Sequence, residues 1–282
     1  MSNLSELIRQ RFGLQDGELQ LGCARIDEIN TTITDLLGRR SIRRYTDEPI
    51  SDDMLDTLLA CAQSAPTKSN LQQYSIVVVS DESLRKRLAE HCPKTPQLQS
   101  CPVFLVFCAD IRRNQRVADV RNHTYANNNL DCFVNAVIDA AMALQCLITA
   151  AESMGLGCAA ISEIRDGMEA VSALLELPPG VFPISGLTLG KPAVRGFINQ
   201  RLAPNIVVHR DRYDDSHLEA DIETYDARRH AIFPIPDSAQ MHTDKYGTAC
   251  DYTWSENTAR QLSIPERQAF RAFLKTHGFD LN

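Results

Sequence analysis

Six consecutive positions of an acidic chain, Arg39-Arg-Ser-Ile-Arg-Arg44, hold four arginines and a hydroxyl. Guanidinium forks match the oxygens of phosphate and carboxylate, so this crowding suits the binding of an anion. A short helical pattern precedes the run, with Ile33, Leu36 and Leu37 at helical spacing behind the capping candidates Asn30 and Thr32. The cations thus fall at a helix C-terminus, where the helix dipole alone favours positive charge. That explanation covers Arg39 and Arg40 and explains Arg43 and Arg44 less well. Blocks of like charge are also common on solvated surfaces, so the arginines by themselves leave both readings open.

A second polar group follows at Thr67, Ser69, Asn70 and Gln72. Short polar side chains after a proline also make an ordinary turn. The elements that must position both groups are legible in the patterning. Ser51 is an N-cap, Asp52 and Asp53 sit in the favourable first turn, and Leu55, Leu58, Leu59 and Ala62 follow at helical spacing up to Pro66. Tyr74 to Val79 reads as a buried strand, Asp81 caps a helix carrying Leu84 and Leu88, and Val103 to Ala109 reads as the next strand. Strand, helix, strand suggests a layered α/β sheet.

Residues 111 to 130 are polar and asparagine-rich and are expected to form a loop. The next helix carries apolar residues over most of its circumference from Phe133 to Ala151, which predicts burial nearly all round and subunits packing against it. Asp139, Gln145 and Glu152 interrupt that run, so it is read as a buried helix and not a membrane span. Gly155 or Gly157 supplies its left-handed stop. Cys158 to Ser162 reads as a strand, Asp166 as the cap of a helix ending by Pro178-Pro-Gly180, and Phe182 to Leu189 as a further strand. Past residue 205 the pattern loosens. Ile206-Val-Val208 is an edge-strand candidate, 233 to 250 is loop-like, and a last helix runs from Ile264-Pro-Glu-Arg with Phe270, Phe273 and Leu274 on one face. At the other end, Leu4, Leu7, Ile8 and Phe12 line a first helix, followed by a stretch punctuated by Gly13, Gly17 and Gly22.

The 282 residues suffice for a sizeable core, with 44% hydrophobic and 23% charged residues and a formal charge of -7 that argues against a nucleic-acid partner. Nine cysteines form no Cys-x-x-Cys pair and no zinc-site spacing, which fits a reduced cytoplasmic setting without a bound metal. Cys108, Cys132, Cys146 and Cys158 lie in apolar stretches as small core residues. The N-terminus has neither a signal-peptide nor a transit-peptide pattern. No Gly-x-Ser-x-Gly turn is present, and Gly155-Leu-Gly157 is too short for a dinucleotide fingerprint.

Taken together, the ordered motifs resemble the nitroreductase family of FMN-dependent oxidoreductases, and most closely its larger NAD(P)H nitroreductase and flavin reductase branch. The resemblance is carried by Arg39 to Arg43 with Tyr45-Thr-Asp-Glu-Pro-Ile50, by Ala65-Pro-Thr-Lys-Ser-Asn-Leu-Gln72, by Gly155-Leu-Gly157, by Gly186-Leu-Thr-Leu-Gly-Lys-Pro192 and by Arg201, with Thr253-Trp254 as a late match. It implies an α+β fold with a central, mostly antiparallel sheet flanked by helices, in a homodimer with FMN at the interface. The implied organisation is an N-terminal helical arm over 1–30 and a single domain over 31–282, of which 205–282 is an extension wrapping the core.

By position, the resemblance assigns the FMN phosphate to Arg39, Arg40, Ser41 and Arg201. Asn199 stands where the family carries a second late cation. Arg43 falls beside the pyrimidine edge of the flavin, where a fixed cation stabilises the charge of the reduced ring; the alternative is a surface arginine paired with Asp47 or Glu48. Thr67, Ser69, Asn70 and Gln72 fall near the flavin. Ile161, Ser162 and Glu163 fall where backbone amides face its N5 and O4, and Lys245 where the branch contacts NADPH. The implied activity is hydride transfer from NAD(P)H to nitroaromatic, quinone or flavin acceptors in a ping-pong cycle, with no nucleophile or acid/base residue required. The alternatives are a flavin-fragmenting or dehalogenating member and a non-catalytic flavin-binding protein on the same scaffold.

Overall fold

The structure is a computed structural model that describes residues 4–13 and 30–282. Cys23 and the glycines Gly17 and Gly22 lie outside the described residues. The chain divides into two compact units, one of residues 39–197 with 267–282 and one of residues 1–38 with 198–266.

The larger unit is built on a four-stranded sheet of β1 (Tyr74–Val79), β2 (Val103–Asp110), β3 (Gly157–Ile161) and β4 (Val181–Gly190) in the order β1-β2-β4-β3. Every pairing is antiparallel. This is an α+β arrangement, and the α/β reading of the strand, helix, strand run over β1 and β2 does not hold, because the two strands pair antiparallel. α3 (Asp52–Gln63) and α6 (Leu130–Ser153) pack together on one face of the sheet, sharing a core of Leu58, Leu105, Phe107, Leu147 and Leu187. The second core joins α4 (Glu82–Glu90) and α7 (Met168–Leu174) to the sheet through Leu88, Phe104, Val106 and Val171. Ser51 and Asp81 cap their helices as expected, accepting from the Met54 and Leu84 amides.

Three expectations about where elements begin in this unit also need correction. Residues Arg112–Val120 form a helix, α5, where a loop was expected. Asp110 accepts from the Arg113 amide at its start, and its arginines and glutamine are good helix formers even without an apolar stripe. Asp166 is not the N-cap of α7; its carboxylate pairs with Arg267 at 2.6 Å, and α7 begins after Gly167. The last helix, α12 (Phe270–Thr276), starts later than Ile264, beyond a left-handed Arg267. Its Phe270 and Phe273 flank Phe182 of β4.

α6 has the length and composition of a membrane-crossing helix, yet alanines 136, 140, 143 and 151 let it lie close on the sheet. Its burial is one-sided. Val134, Ile138 and Met142, spaced by one turn, are 44%, 48% and 37% exposed in the single chain. Gly155 (φ +78°) supplies the left-handed stop, and the Leu156 amide reaches back to Ala151 O at 3.0 Å.

The smaller unit contains α1 (Leu4–Phe12), packed on α2 (Thr31–Gly38), together with α8 (Pro204–Val207), α9 (Leu218–Ile232), α10 (Thr243–Tyr246) and α11 (Trp254–Leu262). The edge strand expected at 206–208 is not formed, since Pro204 starts a helical turn there. α9 and α11 were not anticipated. Both are held by polar burial: Asp226 of α9 accepts from Thr253 Oγ1 at 2.9 Å and from the Ser255 amide at 3.0 Å.

Candidate functional site

The arginine turn is fixed to the sheet of the larger unit by its own backbone. Ser41 forms a parallel bridge with Cys158 of β3, and the Ile42 amide donates to Cys158 O at 2.9 Å. Gly157 makes this approach feasible, because a Cβ there would lie 2.6 Å from that of Ile42. Tyr45 completes the anchor, donating to Ile42 O at 2.6 Å and meeting Thr188 Oγ1 at 2.8 Å. Burial holds the Tyr45 hydroxyl well above its usual range, so it stays a protonated donor. Burial likewise pushes the Cys158 thiol up to about 12, which makes it a core group and not a nucleophile.

With the backbone pinned, Ile42 points into the core while Ser41, Arg43 and Arg44 remain exposed. Arg39 pairs with Glu152, near the end of α6, at 3.3 Å. Arg40 and Arg43 have no side-chain hydrogen bond or ion pair among the described residues. The alternative pairing of Arg43 with Asp47 or Glu48 is not made, and Glu48 is held by Lys191. Burial, then repulsion from Arg195, holds the Arg40 pKa below its ordinary value, with Glu152 acting in the opposite sense.

The loop after α3 is strained. Ser69, Asn70 and Gln72 have φ of 49°, 58° and 52°, a left-handed region that costs a non-glycine residue about 1–2 kcal/mol. Asp139, fully buried on α6, holds the loop in that shape by accepting from the Lys68 amide at 3.0 Å and the Gln73 amide at 2.9 Å. Arg113 of α5 donates to Gln72 O at 2.7 Å, and Asn114 to Leu71 O at 3.2 Å. Thr67 is half-buried, whereas Ser69, Asn70 and Gln72 are exposed, with Gln72 donating to Asn70 Oδ1 at 3.2 Å. Asp139 and Arg113 were not anticipated as positioning residues; a carboxylate inside an apolar helix was the available signal.

At the end of β3, Ile161 and Glu163 turn their side chains inward and only Ser162 is exposed. The Glu163 carboxylate accepts from the Lys94 amide at 2.8 Å and Thr95 Oγ1 at 2.6 Å. Any ligand contact from Ile161 and Glu163 is therefore left to the main chain. The larger unit thus brings together on β3 and its neighbours the arginine turn and residues 161–163, and holds the 67–72 loop through α6.

Arg201 and Lys245 belong to the smaller unit. The Arg201 amide donates to Arg11 O at 2.7 Å, and its guanidinium reaches Asn199 O at 3.4 Å. Lys245 lies over the Tyr246 ring at 4.8 Å from its centroid.

Comparison with known proteins agrees with this architecture. The nitroreductase family matches residues 36–191, and the nitroreductase family, C-terminal domain, matches residues 199–282. An FMN reductase [NAD(P)H] of Bacillus subtilis is 38% identical over 202 residues, covering 70% of this chain and 81% of its own length. An FMN reductase (NADPH) of the same organism is 32% identical and covered in full by 90% of this chain. Among solved structures, an NADPH:FMN oxidoreductase from Vibrio harveyi complexed with NAD+ superposes with a TM-score of 0.77 at 30% identity, covering 88% of this chain and 98% of its own. With both its core and its C-terminal region matched, this chain belongs to the nitroreductase family.

Proposed function

We infer that the protein is an NAD(P)H-dependent oxidoreductase with FMN as its cofactor. Family membership and relatives named as FMN reductases and nitroreductases support the reading. The observation that carries it on the chain itself is the pinned arginine turn, whose backbone is fixed while Arg40 and Arg43 are left without protein partners among the described residues. Bound FMN supplies the hydride chemistry; the protein supplies orientation and electrostatics.

The residues present fit that cofactor. Arg40 and Ser41 offer charge-assisted donors for the phosphate, each worth about 1.5–3 kcal/mol, and Arg39 joins them from its pairing with Glu152. Arg43 places a fixed cation for the pyrimidine edge, where it favours the reduced ring. Thr67, Ser69, Asn70 and Gln72 form a shaped rim whose strain is held by Asp139, and the main chain at Ile161, Ser162 and Glu163 presents its amides. Arg201 and Lys245, proposed as a further phosphate cation and as an NADPH contact, rest on the sequence resemblance alone.

The working form is a homodimer in the cytoplasm, with the flavin at the subunit interface. A second copy would cover the exposed apolar ridge of Val134, Ile138 and Met142, which otherwise stays in water at about 25 cal/mol per Å². Nitroaromatics, quinones and free flavins serve as acceptors in a ping-pong cycle, in which oxidised nucleotide leaves before the acceptor enters.

The test is the visible spectrum of the purified protein before and after anaerobic NADH or NADPH. A yellow protein that bleaches, reoxidises with a quinone and releases FMN on denaturation is expected. Protein that stays colourless and takes up no added FMN would overturn the assignment, and bound flavin without turnover would leave a binding protein.

A further inference from the structure

The segment leaving β4 runs back along the arginine turn. The Thr46 amide donates to Lys191 O at 2.9 Å, the Ala193 amide donates to Arg44 O at 2.9 Å, and Tyr45 bridges Pro192. Gly196 (φ +67°) then turns the chain against the start of the motif. A Cβ there would lie 3.1 Å from Ile42 Cδ1 and 3.8 Å from both Cβ and Cδ of Arg40. Two strands of backbone, laced at several points, therefore bring Arg195 to the flank of Arg40.

This juxtaposition is electrostatically unfavourable without a ligand. Repulsion from Arg195 acts on Arg40 on top of the cost of burial. Glu152 offers partial relief, but it is already engaged by Arg39 at 3.3 Å. Among the described residues three guanidiniums lie beside one carboxylate, an excess of two positive charges, and neither Arg40 nor Arg195 has a hydrogen bond or ion pair there. Arg195 is exposed, so a long side chain could swing into water, yet the lacing of 191–196 keeps its backbone at the turn. An excess of two charges carried by guanidinium forks matches a phosphate monoester dianion better than a carboxylate.

We propose that Arg195 is a phosphate-binding residue that closes, opposite Arg40, on the phosphate monoester of FMN. The inference rests on the flavin reading and deepens it. Asn199 stands where the family resemblance implies a cation, and Arg195 would restore the count from within the larger unit. The same dianion chemistry occurs in the 2'-phosphate of NADPH, and the experiment separates the two sources.

FMN and riboflavin differ only by the phosphate, so titrating the flavin-free full chain with each, by quenching of flavin fluorescence, isolates the contribution. Arg195→Ala is expected to weaken FMN about ten- to hundredfold and to leave riboflavin unchanged, with Arg195→Lys recovering part of the loss. Unchanged riboflavin binding also reports that the variant is folded. If Arg195→Ala binds FMN as the wild type does, the proposal fails and the flavin reading stands. The proposal fails in the same way if the variant keeps FMN but loses its discrimination between NADPH and NADH, which would place Arg195 at the nucleotide. Wild-type protein that binds FMN no more tightly than riboflavin would overturn the phosphate clamp altogether, and no binding of either flavin would remove the flavin reading with it.

Discussion

Two groups of arginines, one in each unit, are used in opposite ways. In the smaller unit Arg260 is buried with its donors engaged: Nε meets Glu256 at 2.6 Å, Nη1 meets Gly247 O at 2.7 Å and Met241 O at 3.3 Å, and the plane lies over Tyr246 and Tyr252. Arg11 does the same for a helix end, donating to Leu37 O at 2.9 Å and to Asn199 O at 3.0 Å. In the larger unit, Arg40, Arg43 and Arg195 have no side-chain hydrogen bond or ion pair among the described residues, and Glu152, the carboxylate that acts on Arg40, is paired with Arg39. Engaged guanidiniums act as internal struts, because burying a charge is tolerated only when it is paired and hydrogen-bonded. Guanidiniums gathered on a pinned backbone and unpaired among the described residues keep their donors available to a ligand.

Substitution can break that contrast. Arg260→Ala is expected to lower unfolding stability by about 2–4 kcal/mol in a denaturant titration, by deleting charge-assisted bonds and the packing of its stem. Arg40→Ala should leave the stability of the flavin-free protein unchanged or slightly raised, because it removes like-charge repulsion, while weakening FMN about tenfold or more. Equal destabilisation by both would mean that the arginine turn is structural after all. Arg43→Ala sharpens the comparison within the turn. Loss of a cation beside the reduced ring should lower the flavin midpoint potential by about 20–60 mV, corresponding to about 1–3 kcal/mol for two electrons, and an unchanged potential would remove that role from Arg43.

The smallest expected effect is a pH dependence in the larger unit, away from the arginines. His277 stacks on Phe273 at 5.0 Å, and burial holds its pKa below the ordinary histidine value. A depressed histidine binds fewer protons folded than unfolded, so its contribution is present above pH about 6.5 and is lost as pH falls below it. The melting temperature of the wild type should therefore drop more between pH 7 and pH 5 than that of His277→Gln. Parallel pH profiles would assign the acid sensitivity elsewhere.

Legibility followed the kind of force that holds each element. β1 appears with the boundaries expected from its apolar run, and Ser51, Asp81 and Asn30 cap as their types suggest, Asn30 Oδ1 accepting from the Ile33 amide at 3.2 Å. These signals are local. α9 and α11 escaped because their buried residues include Asp226 and Arg260, which hydrophobic periodicity counts as surface. α5 escaped for a related reason, as its two valines are exposed and its start depends on Asp110 at the end of a strand. Of the site, the arginine turn and the 67–72 loop were visible as motifs, but Asp139, Arg113 and Arg195 were not, since each acts on residues distant in the chain.

By itself the sequence determined the family, the strands and helices of the core, and the chemistry available to it, because motif spacing and apolar period are properties of neighbouring residues. The tertiary structure alone decided which cations are spent and which are free to bind. Whether a guanidinium finds a carboxylate, a carbonyl or nothing depends on what the fold sets against it. Here the fold sets Glu152 against Arg39, Lys191 against Glu48, and Arg195 beside Arg40.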